Sequence, residues 1–261
     1  MVASEITVEI FKALLVVAVA FLYAAVGHGG ATGYVACLGL FGLSHETIAG
    51  TALMLNTVVA GLALFAYARA GYLRYRLALP FMLSSVPLAF WGAQLSLNKQ
   101  VFAYILAFTL LLSALRFLFI NEPRAATSQQ TPSISEETFH LPSLPMALGV
   151  GGVLGLVSGI VGIGGGVFLS PLILLKKWGC MKQTAAASAL FIVANSISGL
   201  LSRGLAGTLH FYQLFPYLPL AIVAALAGSY LGARRFSSRG LQRILAVVLL
   251  LAAFRLFLPA R

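Results

Sequence analysis

Apolar runs long enough to cross a lipid bilayer recur along this chain, and charge is almost excluded from them. Ten such segments can be read, at about 10–26, 31–43, 48–68, 77–97, 101–120, 144–161, 167–175, 184–201, 211–232 and 241–258. A spanning helix needs roughly 17–25 apolar residues to cross a hydrocarbon core about 30 Å thick. The seventh segment is too short to span alone, and the second is marginal. With 60% of residues hydrophobic and only 9% charged, the chain falls far short of the roughly 25% charge of an average soluble domain. The expected fold class is an all-α polytopic membrane protein, with the bilayer as solvent for most of its surface.

The net charge of +11 does not indicate a nucleic-acid partner. The Lys and Arg residues lie in short connections between apolar segments, which is a topology signal, and no basic stripe interleaved with aromatics is present. Cys37 and Cys180 have no metal-binding spacing. The N-terminus does not read as a removable signal peptide, because Glu5 and Glu9 stand where a basic region is expected.

The longest polar stretch, NEPRAATSQQTPSISEETFHLPS (Asn121–Ser143), divides the chain into 1–120, a first transmembrane repeat, and 144–261, a second, with 121–143 as the linker. The halves align with small drifts in offset. Gly27 matches Gly162, Glu46-Thr47 matches Gln183-Thr184, Gly71 matches Gly207, Gly92 matches Gly228, and Arg116 in LLLSALRFLF matches Arg255 in LLLAAFRLFL. Each half holds five segments, an odd number, so the second copy is expected upside down relative to the first. Charge points the same way. The connection after segment 3 carries Arg69, Arg74 and Arg76, that after segment 7 carries Lys176, Lys177 and Lys182, and that after segment 9 carries Arg234, Arg235, Arg239 and Arg243. With these inside, Lys12, Lys99, Arg203, Arg255 and Arg261 are the basic residues left outside. Both termini are then extracytoplasmic, in a bacterial-type inner membrane.

Two glycine-rich phrases interrupt the apolar runs at equivalent places: VGHGGATGY (Val26–Tyr34) and VGIGGGVFL (Val161–Leu169). A helix can be broken inside lipid only where the freed N–H and C=O groups find partners. One reading is close packing or a tight turn, since small residues let helices approach. The other is a binding site at the repeat interface, between the ends of broken helices. A helix start offers unpaired N–H groups and about half a positive charge. Two of them, at Ala31 and Val167, would hold an anion without a cationic side chain. The expected substrate-binding residues are Gly27, His28, Gly29, Gly30, Ala31, Thr32, Asn56, Gly162, Gly164, Gly165, Gly166, Val167 and Asn195.

His28 reads either as a neutral partner for the broken backbone or as an anion ligand or proton-coupling group. Asn56 and Asn195 open the related phrases NTVVAG and NSISG and read as helix–helix contacts or as cavity lining. Thr32, Thr51, Ser170, Ser188 and Ser196 are further donors, although membrane Ser and Thr commonly bond their own helix. Arg116 and Arg255 read as snorkelling anchors, and Trp91 and Trp178 as interfacial residues. All six acids are Glu, at the termini or in connections, so no cation site within the bilayer is expected. No nucleophile–base pair or metal cluster is present, so neither catalysis nor a cofactor is expected. A homodimer is compatible with small-residue faces such as GVGGVLG (Gly149–Gly155).

The second-half phrases GIVGIGGGVFLSPLILL (Gly159–Leu175) and KQTAAASALFIVANSISGLL (Lys182–Leu201) resemble the TauE/SafE sulfite exporters of the toluene sulfonate uptake permease family. Through the two-copy plan the resemblance covers nearly the whole chain. The first copy departs from the pattern, with His28 where the second has Ile163 and no proline matching Pro171. The resemblance implies transport of small anions such as sulfite, sulfonates or carboxylates. The expected function is a secondary transporter exporting a small anion by alternating access around the two breaks. The alternative is an anion channel using the same helix ends. Export suits a cell negative inside, where one negative charge leaves downhill by about 2.3 kcal/mol per 100 mV.

Overall fold

The computed structural model describes residues 2–25, 28–39, 45–95, 99–119, 141–209 and 217–234, together with 246, 247, 250, 253 and 254. No strand occurs among them. The helices are α1 (Val2–Ala25), α2 (Ala31–Gly39), α3 (His45–Arg69), α4 (Tyr75–Gln94), α5 (Lys99–Phe119), α6 (Leu144–Val161), α7 (Gly166–Leu175), α8 (Met181–Leu205) and α9 (Leu218–Arg234). They follow the first nine apolar segments closely. The tenth is represented by helical residues at 246, 247, 250, 253 and 254. Most of the linker, Arg235, Arg239, Arg243 and Arg255 lie outside the described residues.

Five helices, α1, α3, α4, α6 and α8, are long and apolar enough to cross a membrane. The chain is a multi-pass membrane protein. By contrast α2 has nine residues and α7 ten, about 14–15 Å at 1.5 Å per residue, or half the hydrocarbon thickness.

α3 and α8 run antiparallel through the centre: Leu53 lies against Gly199, and three residues further on Asn56 bonds Ser196. α4 and α6 run parallel and unusually close. Gly151, Gly155 and Gly159 of α6 sit on the carbonyls of Phe81, Ser85 and Ala89 of α4. Both sets recur every four residues, so one glycine edge meets one backbone edge. Much of the GVGGVLG stripe is therefore used within the chain. α1 and α9 make the other parallel pair, with Gly228 on the Phe21 carbonyl and the Tyr217 hydroxyl donating to Glu9.

Hydrogen bonds across α4 and α8 reinforce this framework. α4 contains Pro80 and Pro87, which lack an N–H and weaken the helical ladder. Ser198 and Ser202 of α8 donate to the Val86 and Phe90 carbonyls, each at 2.7 Å. In an apolar solvent such interhelical bonds hold α8 to α4.

Two residues stand elsewhere than the sequence suggested. Trp178 is buried at 6% exposure against Phe81, with ring centroids 5.9 Å apart, whereas Trp91 is exposed. Arg203 is no connection residue: α8 continues to Leu205 and buries it. On the side where basic connections were expected to gather, Lys182 Nζ lies 3.1 Å from the Tyr72 hydroxyl and 4.8 Å from its ring centroid.

The α4–α6 contact makes a direct prediction. Gly155→Val places its first side-chain carbon inside the Ser85 backbone, an overpacking expected to cost about 1–3 kcal/mol. Gly149→Val, where a Cβ meets open space, should be tolerated. Thermal unfolding of the detergent-purified variants distinguishes the two.

Candidate functional site

The two breaks differ in sequence but produce the same local event, a helix end followed at once by a helix start. In the first, the His28 N–H closes on the Tyr23 carbonyl at 2.8 Å, and α2 begins at Ala31. In the second, the N–H groups of Gly162 and Ile163 both return to the Ser158 carbonyl, at 2.8 and 3.3 Å. This is the usual glycine closure of a helix C-terminus. Gly164 and Gly165 then adopt φ of +71° each, a left-handed conformation that costs other L-residues roughly 1–2 kcal/mol. α7 starts at Gly166, one residue before the expected Val167, and has no side-chain cap.

Asn56, in the middle of α3, joins the breaks. Its Oδ1 accepts the Ala31 N–H at 3.2 Å, where α2 starts. Its Nδ2 donates to the Ile163 carbonyl at 3.4 Å, inside the second break, and to Ser196 Oγ of α8 at 3.0 Å. One buried amide thus satisfies a freed donor of one half and a freed acceptor of the other. A Cβ at Gly29 or at Gly164 would collide with this amide. Those two glycines are needed where they stand because both breaks press on Asn56.

A second polar link lies beside the first. His28 Nε2 is 2.8 Å from Ser170 Oγ of α7, which is 2.7 Å from Ser188 Oγ of α8 and donates to the Gly166 carbonyl at 2.8 Å. With the Ser170 hydrogen on that carbonyl, His28 and Ser188 must both donate to Ser170 Oγ. This arrangement calls for the Nε2–H form of the imidazole. The site is closed to solvent: His28, Asn56, Ser170, Ser188 and Ser196 are at most 2% exposed. No carboxylate appears among the described buried residues, and no metal-binding group of His, Cys, Asp and Glu occurs among the described residues.

The expected residues are thus only partly brought together. His28, Gly29, Ala31, Asn56 and Gly164 come together around the Asn56 amide and the His28–Ser170 link. Gly162, Gly165, Gly166 and Val167 are buried around the second break. Gly162 meets Ala49 of α3, Gly165 meets Phe191, and Gly166 meets Ile192 and the Ser188 carbonyl. Gly30 turns the chain at φ +90°, while Thr32 bonds the Tyr23 hydroxyl at 2.8 Å. Asn195 lies apart on the α4–α8 seam, where Ser85 donates to its Oδ1 at 3.0 Å. Its Nδ2 has no partner among the described residues. Gly27 lies outside the described residues.

Ser170, Ser188 and Ser196, read from the sequence only as further donors that commonly bond their own helix, enter the site. One signal was available for Ser188. Ser188-Ala189-Leu190 matches Thr51-Ala52-Leu53 in the register that pairs Glu46 with Gln183. Thr51 Oγ1 has no partner among the described residues, while Ser188 has one, because only the second half supplies a hydroxyl at position 170.

Comparison with known proteins decides the family. The model of the sulfite exporter TauE/SafE family matches residues 12–256. The chain belongs to that family. It is 34% identical over 243 residues to the probable membrane transporter protein y4hK of Sinorhizobium fredii, covering 91% of this chain and 94% of that protein. It is also 30% identical over 112 residues to the probable membrane transporter protein MJ0441 of Methanocaldococcus jannaschii, 42% of this chain and 40% of that one. No solved structure matches it. Family membership and the helical architecture together make this a membrane transporter.

Asn56→Ala tests the junction. It leaves the Ala31 N–H and the Ile163 carbonyl without the amide, at an expected cost of about 1–3 kcal/mol for each buried group left unpaired. Ser196→Ala leaves both of those contacts in place and should cost less. Thermal unfolding in detergent measures the order, and equal losses would show that the amide is not what holds the breaks together.

Proposed function

We propose that this protein is a secondary carrier that exports a small anion such as sulfite, an organosulfonate or a carboxylate. The site lies between its two helix breaks, and the halves are inverted repeats that alternate access to it. The observation that carries the reading is the convergence of both breaks on Asn56. Ala31 and Gly166 each begin a half-length helix beside that junction, and a helix start favours negative charge. The surrounding side chains are neutral donors and acceptors, with no carboxylate among the described buried residues to repel an anion.

Inversion is supported by direction. α3 and α8 hold equivalent places in the two halves and run antiparallel through the same centre. α1–α9 and α4–α6 are equivalent pairings, and both are parallel. The contact of Lys182 with Tyr72 is what is expected if the basic connections after α3 and α7 share the cytoplasmic side. The family description and the inside-negative potential favour export, which needs no coupling ion for an anion.

Efflux from proteoliposomes loaded with sulfite, sulfonates or carboxylates, with and without a membrane potential, tests this reading. Saturable, potential-sensitive efflux is expected. Hydrogen bonds to charged groups contribute about 1.5–3 kcal/mol, so folded Asn56→Ala protein should lose about tenfold or more in flux. Single-channel currents in place of saturable flux would replace the carrier with a channel. Flux that ignores Asn56 would return the breaks to packing.

A further inference from the structure

Arg203 is the one Lys or Arg found buried among the described residues, at 4% exposure. It stands in the last turn of α8, at the end remote from Lys182. Its Nη2 donates to the Gly159 carbonyl at 3.1 Å and the Ile160 carbonyl at 3.5 Å, in the last turn of α6. These carbonyls precede Gly162, where the second break opens. No carboxylate comes within salt-bridge distance of it among the described residues, where the ion pair observed is Lys12–Glu9. Its Nε is buried and has no hydrogen-bond partner among the described residues.

Capping the end of α6 accounts for Nη2, since cations stabilise a helix C-terminus. It does not account for the rest of the group. The charge of Glu46, at the start of α3, acts on it only from beyond ion-pair distance. Capping needs no burial of the whole guanidinium, and a buried cation without a directly paired carboxylate is among the costlier things a membrane protein can hold. The Nε is a donor that no acceptor among the described residues answers. Guanidinium edges match the oxygens of carboxylates and of similar small oxyanions, which both neutralise the charge and accept its N–H groups.

We propose that Arg203 forms a second anion site, distinct from the Asn56 junction, which takes a small oxyanion between the second break and the outer face. The assignment rests on the anion reading above for its ligand class. The guanidinium holds the oxyanion through Nε while Nη2 stays on the α6 carbonyls. An anion leaving the break towards the end of α8 passes this charge before it reaches water. Export then proceeds through two weaker stations, so that no single site has to bind too tightly for release.

Equilibrium binding of radiolabelled sulfite to the purified full chain, with the stoichiometry counted, tests this. The expected result is two sulfites per chain for the native protein and one for Arg203→Gln. Arg203→Lys keeps the charge but loses the Nε donor. It should retain two, the second weakened by about tenfold, the loss expected for one charge-assisted hydrogen bond, and it serves as the test if the glutamine variant does not fold. The same number bound by the native protein and Arg203→Gln overturns the proposal and leaves Arg203 as a cap. One sulfite for the native chain and none for Arg203→Gln keeps the Arg203 site and removes the junction as a binding site. No sulfite bound by the native chain removes both.

Discussion

A bilayer offers no water to a broken helix, and the organisation of this protein follows from that constraint. Each break frees backbone donors and acceptors at a depth where an unpaired group costs several kcal/mol. The Asn56 amide answers it for both breaks together, with Oδ1 on Ala31 of the first and Nδ2 on Ile163 of the second. Because one side chain of the first half serves both, the second break depends on the first half for the partner of its Ile163 carbonyl. The surrounding glycines are small so that the backbone can reach this amide.

Glycine serves a different purpose elsewhere. Along α6, Gly151, Gly155 and Gly159 bring two backbones into direct contact, which makes α4 and α6 one unit. Lipid tails are as apolar as leucine, so close packing and hydrogen bonds must hold helices together where the hydrophobic effect does not. The Ser198 and Ser202 bonds to α4 add α8 to that unit. The second break therefore hangs from a tightly built frame of three helices, while α2 and α7 remain short.

The matched phrases of the two halves differ in chemistry. His28 stands opposite Ile163, and Ser170 opposite Val35, so one polar chain from His28 through Ser170 to Ser188 crosses the middle with no counterpart. Thr51, the counterpart of Ser188, is left without a partner among the described residues. The centre of the molecule is accordingly asymmetric.

Most of the helices, the two breaks and the start of α2 at Ala31 were legible in the sequence. Hydropathy sets segment length, and the clustered glycines of GHGG and GIGGG interrupt their runs, whereas the Gly151-Gly152 pair stays inside α6. The candidate site was legible in part. His28, Asn56 and the glycines followed from their place at or near the breaks, while Ser170, Ser188 and Ser196 did not, because a membrane hydroxyl can always satisfy itself on its own helix. Asn56 and Asn195 open similar phrases, yet one joins the breaks and the other faces α4. In a lipid-facing helix both the buried and the exposed faces are apolar, so periodicity does not say which way a residue points. Arg203 was assigned to a connection for the same reason, since its position in sequence carries no record of the α6 end above it. The sequence by itself determined where the apolar helices lie and where they break. Only the tertiary structure decided which residues meet at those breaks, because that depends on contacts between residues more than a hundred positions apart.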